Sequence, residues 1–115
     1  MFIAPFPGSG LSYNFLQSNT QSSTTGTVTF TGVSFGSVIS PQRYIVISVA
    51  WVSSSNTLSS ATIGGVSATI NAQDNNIAGR TAIIIANVPT GTSGTVILNF
   101  TGSATDILAS TYALI

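Results

Sequence analysis

The feature that most constrains this chain is a two-residue periodicity. Apolar and polar side chains alternate along much of its length, and the spacing of an amphipathic helix is nearly absent. Successive side chains of a strand point to opposite faces, so an alternating segment can bury one face and hydrate the other only as β-structure. The alternating residues are Val, Ile, Thr and aromatics, whose branched or flat side chains suit a pleated surface. In Thr27 to Val33, Val28 and Phe30 alternate with Thr27, Thr29 and Thr31, which predicts a strand with one face in a core.

Two segments are apolar on both faces. Tyr44 to Val52 sets Ile45, Ile47, Val49 and Trp51 against Tyr44, Val46, Ser48 and Ala50, and Thr81 to Val88 carries Ile83, Ile84 and Ile85 in succession. Both patterns predict strands covered on both sides. Ala61 to Ile63 and Val66 to Ala68 flank Gly64-Gly65, and two glycines supply the positive φ angles of a tight hairpin turn. After a turn over Pro89 to Gly94, Thr95 to Thr101 resumes the alternation with Val96, Leu98 and Phe100 inward. Beyond a break at Gly102 to Ala104, Ile107 to Ile115 places Leu108, Ser110, Tyr112 and Leu114 on one face.

A weaker strand near Tyr13 to Gln21 brings the count to seven or eight. Ser22-Ser23-Thr24-Thr25 and Ser53-Ser54-Ser55-Asn56 read as exposed loops. Short strands with turn signals at this spacing predict an all-β fold, an antiparallel β-sandwich of immunoglobulin-like or jelly-roll type. At 115 residues the chain suits one core, assigned to residues 11–115 behind an extended arm at 1–10.

Charge separates the function classes. Arg43, Asp74, Arg80 and Asp106 are the only charged side chains, 3% of residues, and there is no His, Lys, Glu or Cys; about 25% charged is usual. With 43% apolar residues and mean hydropathy of +0.51, burial can outweigh chain entropy and the chain folds. Ser and Thr, 34 residues together, carry the solvation. Near-zero net charge removes the repulsion that keeps monomers apart, so a homo-oligomer or a multi-copy assembly is expected. Two arginines are too few to bind a phosphate backbone, which argues against nucleic acid. No apolar run reaches membrane-spanning length. Met1 to Gly10, with Pro5, Pro7 and Gly8, lacks a signal-peptide pattern and reads as a native start.

Catalytic chemistry finds little to work with. A hydroxyl nucleophile needs a base, usually His, and the chain has none. Asp74 and Asp106 form the one carboxylate pair available to a glycosidase, but loop aspartates usually cap turns. Asp74-Asn75-Asn76 offers oxygen ligands for calcium yet lacks further carboxylates and reads as an Asx turn. Asn99-Phe100-Thr101 fits the glycosylation pattern inside a strand and is discounted. Neither catalytic residue, cofactor nor metal is expected. Tyr13, Tyr44, Trp51 and Tyr112 form a candidate sugar-stacking set, from which Trp51 is expected to be lost to the core because it shares a face with Ile45, Ile47 and Val49.

The candidate interface lies at the start of the chain, where Phe2, Ile3 and Phe6 stand among Pro5, Pro7, Gly8 and Gly10. Such an arm can dock its aromatic anchors on a neighbouring subunit or fold back on its own sandwich. The stretches Ala61-Thr-Ile-Gly-Gly-Val-Ser-Ala-Thr69 and Asn87-Val-Pro-Thr-Gly-Thr-Ser-Gly-Thr-Val96, followed by Phe- and Tyr-bearing strands, resemble small β-sandwich virion proteins of tailed bacteriophages. The likeness covers roughly Tyr44 to Ile115 and brings no catalytic residues. It implies a structural protein located on the virion, at the capsid exterior or the tail. Its partners would be the major capsid protein or other virion proteins. On this reading a capsid decoration or cement role leads, with a tail or tail-fibre component and a host-glycan-binding module as alternatives.

Overall fold

The computed structural model describes residues 12–74 and 79–115. The alternating segments become nine strands: β1 (Tyr13–Thr24), β2 (Thr27–Ser34), β3 (Tyr44–Val52), β4 (Leu58–Ile63), β5 (Val66–Ser67), β6 (Thr69–Asp74), β7 (Gly79–Asn87), β8 (Ser93–Phe100) and β9 (Ala104–Leu114). They form a sandwich of two antiparallel sheets, one of five strands in the order β1-β9-β3-β7-β6 and one of four in the order β2-β8-β4-β5. The pairing is nested, β4 with β5, β3 with β7, β2 with β8 and β1 with β9. The chain is thus one long hairpin rolled across two sheets, which is the jelly-roll arrangement rather than the immunoglobulin one.

Gly64-Gly65 is the tip of that roll. Their φ angles of +58° and +81° turn β4 into β5 with Ile63 facing Val66, the geometry of a two-residue hairpin with both central residues left-handed. Strand β6 is the element that the alternation did not signal. It follows β5 after Ala68 and pairs with β7 at the rim of the larger sheet, so the strands among the described residues number nine rather than seven or eight. β1 also runs past the expected Gln21 to Thr24, absorbing part of the serine-threonine stretch read as a loop.

The core lies between the sheets. Ile45, Ile47, Val49 and Trp51 of β3 and Ala82, Ile84 and Ala86 of β7 meet Val28, Phe30, Leu58, Ala61, Ile63, Val96, Leu98 and Phe100 of the smaller sheet. Phe35, just after β2, is buried over two glycines: a Cβ on Gly94 would lie 2.7 Å from its ring and one on Gly64 3.0 Å. Gly94, read from sequence as part of a turn, is therefore a packing glycine inside β8.

Both arginines serve this framework. Arg43 is fully buried, and its guanidinium donates to the carbonyls of Val88, Val38, Thr90 and Gly91 at 2.7–3.0 Å, tying the chain before β3 to the loop after β7. Burial lowers its pKa from the ordinary value, but an arginine starts so high that it stays charged, and the fixed carbonyls replace its hydration. Arg80 donates to Ser53 and Ser54 carbonyls at 3.0 and 3.1 Å and orders the Ser53–Asn56 loop. That loop in turn accepts the Trp51 indole N–H at the Asn56 carbonyl, 3.1 Å away.

Two glutamines stitch the sheets together at the rims. On β1, Gln17 Oε1 accepts the Ser34 N–H of β2 at 2.8 Å. On β6, Gln73 accepts from the Leu58 N–H of β4 at 2.8 Å and donates to the Leu58 carbonyl at 3.1 Å. Each side chain satisfies backbone groups that a strand edge would otherwise leave open.

Candidate interaction surface

One expectation is overturned by the sandwich. β3 and β7 were expected to be covered on both sides, but only their inward residues are buried, while Tyr44 and Val52 of β3 and Ile83 of β7 remain 41%, 42% and 44% exposed. Two layers can cover only one face of each sheet, and among the described residues no third layer lies on the outer side of the five-stranded sheet. Among the described residues that face is uncovered, and much of it is apolar.

The strand register assembles it row by row. Tyr13, Leu114, Tyr44 and Asn87 lie side by side across β1, β9, β3 and β7. The next row spans all five strands as Phe15, Tyr112, Val46, Ile85 and Thr69. Below it come Ser18, Ser110, Ser48, Ile83 and Ala72, then Thr20, Leu108, Ala50, Thr81 and Asp74. Five strands about 4.8 Å apart and four rows about 6.7 Å apart make a face on the order of 400 Å² in all, with most of its apolar side chains in the first two rows.

Its aromatic corner is ordered. Tyr13 and Tyr112 stack with centroids 5.0 Å apart and planes 9° off parallel, and Phe15 meets Tyr112 edge-on at 5.4 Å. Tyr13 and Phe15 are 60% and 58% exposed. Of the sugar-stacking set, Tyr13, Tyr44 and Tyr112 thus share this face. Trp51 is buried against Phe100, centroids 5.1 Å apart, as its position among Ile45, Ile47 and Val49 implied. Phe15 was missed in the sequence, because β1 read as a weak strand with no assigned faces.

Charge on this surface is sparse and anionic. Asp74 and Asp106 are exposed whereas both arginines are buried, so no cation is left to meet a phosphate. The aspartates stand on β6 and β9, three strand spacings apart, roughly 14 Å at about 4.8 Å each. That exceeds the roughly 5–9.5 Å over which two carboxyl groups flank a glycosidic bond. Asp106 occupies a left-handed position, φ +50°, within the irregularity of the β3–β9 pairing between Ala50 and Val52. Asn99 joins Ser60 and Thr27 in a cross-strand ladder at 3.0 and 3.1 Å, so its amide is engaged within the sheet.

The remaining site residues, Phe2, Ile3, Pro5 and Phe6, lie outside the described residues, as do Asn75 and Asn76 of the candidate calcium motif. The chain enters the described structure at Ser12, which exchanges both backbone hydrogen bonds with Ile115. A small cleft opens beside that point, lined by Leu16, Phe35, Val38 and Ile115. The fold and its bare sheet define a jelly-roll sandwich with one apolar outer face. Comparison with known proteins finds no matching family model, no matching curated protein and no matching solved structure.

Proposed function

We propose that the protein is a non-enzymatic structural component of a bacteriophage particle, a capsid decoration protein that binds the assembled shell and joins neighbouring major capsid subunits. The observation that carries this reading is the outer face of the five-stranded sheet, where Phe15, Tyr112, Val46 and Ile85 run in one row across four strands. A face this apolar, whose one charged residue in the four rows is Asp74 at its corner, gains most by meeting another protein, because burial is favourable and little ionic desolvation offsets it. A component that binds only the assembled state stabilises that state by mass action. The arm residues Phe2, Ile3, Pro5 and Phe6 supply further anchors.

The test is to add purified protein to undecorated capsids and measure their heat resistance. A rise in the disruption temperature is expected, smaller for a Phe15→Ser, Ile85→Ser variant that still folds; unchanged resistance at saturating protein removes the decoration role. Imaging of labelled protein on the particle separates capsid from tail or fibre. A second reading, host-glycan binding, is favoured by the exposed rings of Tyr13, Phe15 and Tyr44 beside Ser and Asn side chains, since flat aromatics suit the apolar faces of sugars. Binding to an array of bacterial surface polysaccharides, lost on Tyr13→Ala and Tyr44→Ala, would establish it.

A further inference from the structure

The sandwich has four strand edges, and three are guarded. β5 is two residues long. β6 is six residues, is interrupted between Ile70 and Ala72 and carries Asp74. β2 is broken between Phe30 and Val33, with Gly32 at φ +64°, and its Ser34 N–H is taken by Gln17. Short strands, irregular pairing, charges and side-chain caps are the usual means by which proteins keep sheet edges from joining. The fourth edge, β1, is twelve residues long with no charged residue and no proline. Beyond its irregularity at Phe15/Gln17 it runs in unbroken register with β9 from Gln17 to Gln21. Among the described residues nothing pairs with its other side.

Which backbone groups face outward follows from the pairing. Ser12 and Ile115 exchange both N–H···O bonds, so on β9 the residues Ala113, Thr111, Ala109 and Ile107 continue to point their N–H and C=O groups at β1. Past the irregularity their partners are Gln17, Asn19 and Gln21. Ser18, Thr20 and Ser22 therefore turn both backbone groups away from the sheet, with their side chains exposed on its outer face. One side-chain atom of this strand is also unsatisfied, the buried Oδ1 of Asn19.

We propose that β1 is a self-association edge, pairing antiparallel with β1 of a second copy about a twofold axis at Thr20. In that register Thr20 faces Thr20 of the second copy and Ser18 faces its Ser22, each pair exchanging two backbone bonds. Asn19 then stands directly opposite Gln21 of the second copy on the inward side, where Cα atoms of such pairs approach to about 4.5 Å. Centred on Thr20 the pairing runs through the unbroken stretch from Gln17 to Ser23, whereas centred on Ser18 it meets the irregularity at Phe15/Gln17 and centred on Ser22 it runs off the end of β1 at Thr24. No charge opposes the contact. Two five-stranded sheets become one continuous sheet, and their apolar outer faces merge into a surface twice as wide. The inference rests on the edge alone and stands whether or not the protein decorates a capsid.

The full chain should sediment, over a concentration series into the millimolar range, with twice its 11.7 kDa mass. Because the Thr20 N–H points away from β9, Thr20→Pro leaves the β1–β9 ladder intact while deleting the central bonds of the dimer. Thr20→Lys sets two like charges face to face. Each should weaken the dimer roughly tenfold or more, with unchanged circular dichroism and thermal midpoint. Amide exchange at Ser18, Thr20 and Ser22 should slow only in the dimer. A chain that stays monomeric throughout overturns the proposal, as does a dimer indifferent to both substitutions. A dimer lost on removing residues 1–11 belongs to the arm, and one lost on Ile83→Ser but not on Thr20→Pro belongs to the outer face; either result overturns the edge.

Discussion

The two faces of the five-stranded sheet are built from the same strands and nearly the same residue types, yet they do opposite work. Inward, β3 offers Ile45, Ile47, Val49 and Trp51, all at most 1% exposed; outward it offers Tyr44, Val46, Ala50 and Val52, of which Tyr44 and Val52 are over 40% exposed. Inward polar groups hold backbone, with Gln73 clamping Leu58 and Arg80 holding Ser53 and Ser54, and only Asn19 Oδ1 among the described buried side-chain atoms lacks a partner. The outward polar groups are mostly hydroxyls, such as Ser18 and Ser110, whose oxygens lie 3.2 Å apart, with Asn87 and Asp74 beside them. Apolar composition therefore does not by itself say which face is core. What decides is whether a second sheet is available to cover it, and the smaller sheet covers one.

Substitutions can break or sharpen this contrast. Ile47→Ala on the inner face should cost about 2–5 kcal/mol through lost contacts and the cavity left behind, while its neighbour Val46→Ala should cost less than ~1 kcal/mol; paired urea melts measure the difference. Similar losses at the two positions would mean the outer face is covered after all. Gln73→Ala should cost about 1–3 kcal/mol, because both backbone groups of Leu58 lose their partner, and amide exchange at Leu58 should accelerate selectively. Gly65→Ala, forcing a Cβ into φ +81°, should cost about 1 kcal/mol, visible as a lower thermal midpoint. The smallest effect belongs to the face itself. Ile83→Ser should alter stability by less than about 0.5 kcal/mol but reduce binding of an apolar dye to the folded protein.

Much of the fold was legible because it is local. The bounds of β3 match the alternation from Tyr44 to Val52, the Gly64-Gly65 hairpin lies where two left-handed residues were required, and Val96, Leu98 and Phe100 point inward. What the chain does not announce is long-range. Whether an apolar second face is buried depends on how many layers the strands form, which no window of residues encodes, so β3 and β7 were given a cover they lack. β6 was missed because its segment, Thr-Ile-Asn-Ala-Gln-Asp, breaks the alternation at its own pairing irregularity. Of the candidate surface, Tyr13, Tyr44 and Tyr112 were singled out from sequence as flat rings. Their convergence with Phe15 needed the register of β1, β9 and β3.

The nested pairing also sets an order of events in time. The β4–β5 turn closes across two residues, but each further pair joins segments more distant in the chain, and β1 meets β9 only when residues near 13 find those near 114. Contacts of such separation incur loop-closure entropy before they return any stabilisation, which slows folding. By loop-closure entropy alone such a roll is expected to close from its tip outward, its first strand last. Until β9 arrives, β1 would stand with both edges open, so the strand whose outer edge has no partner among the described residues is also the one expected to be exposed longest while the fold is made.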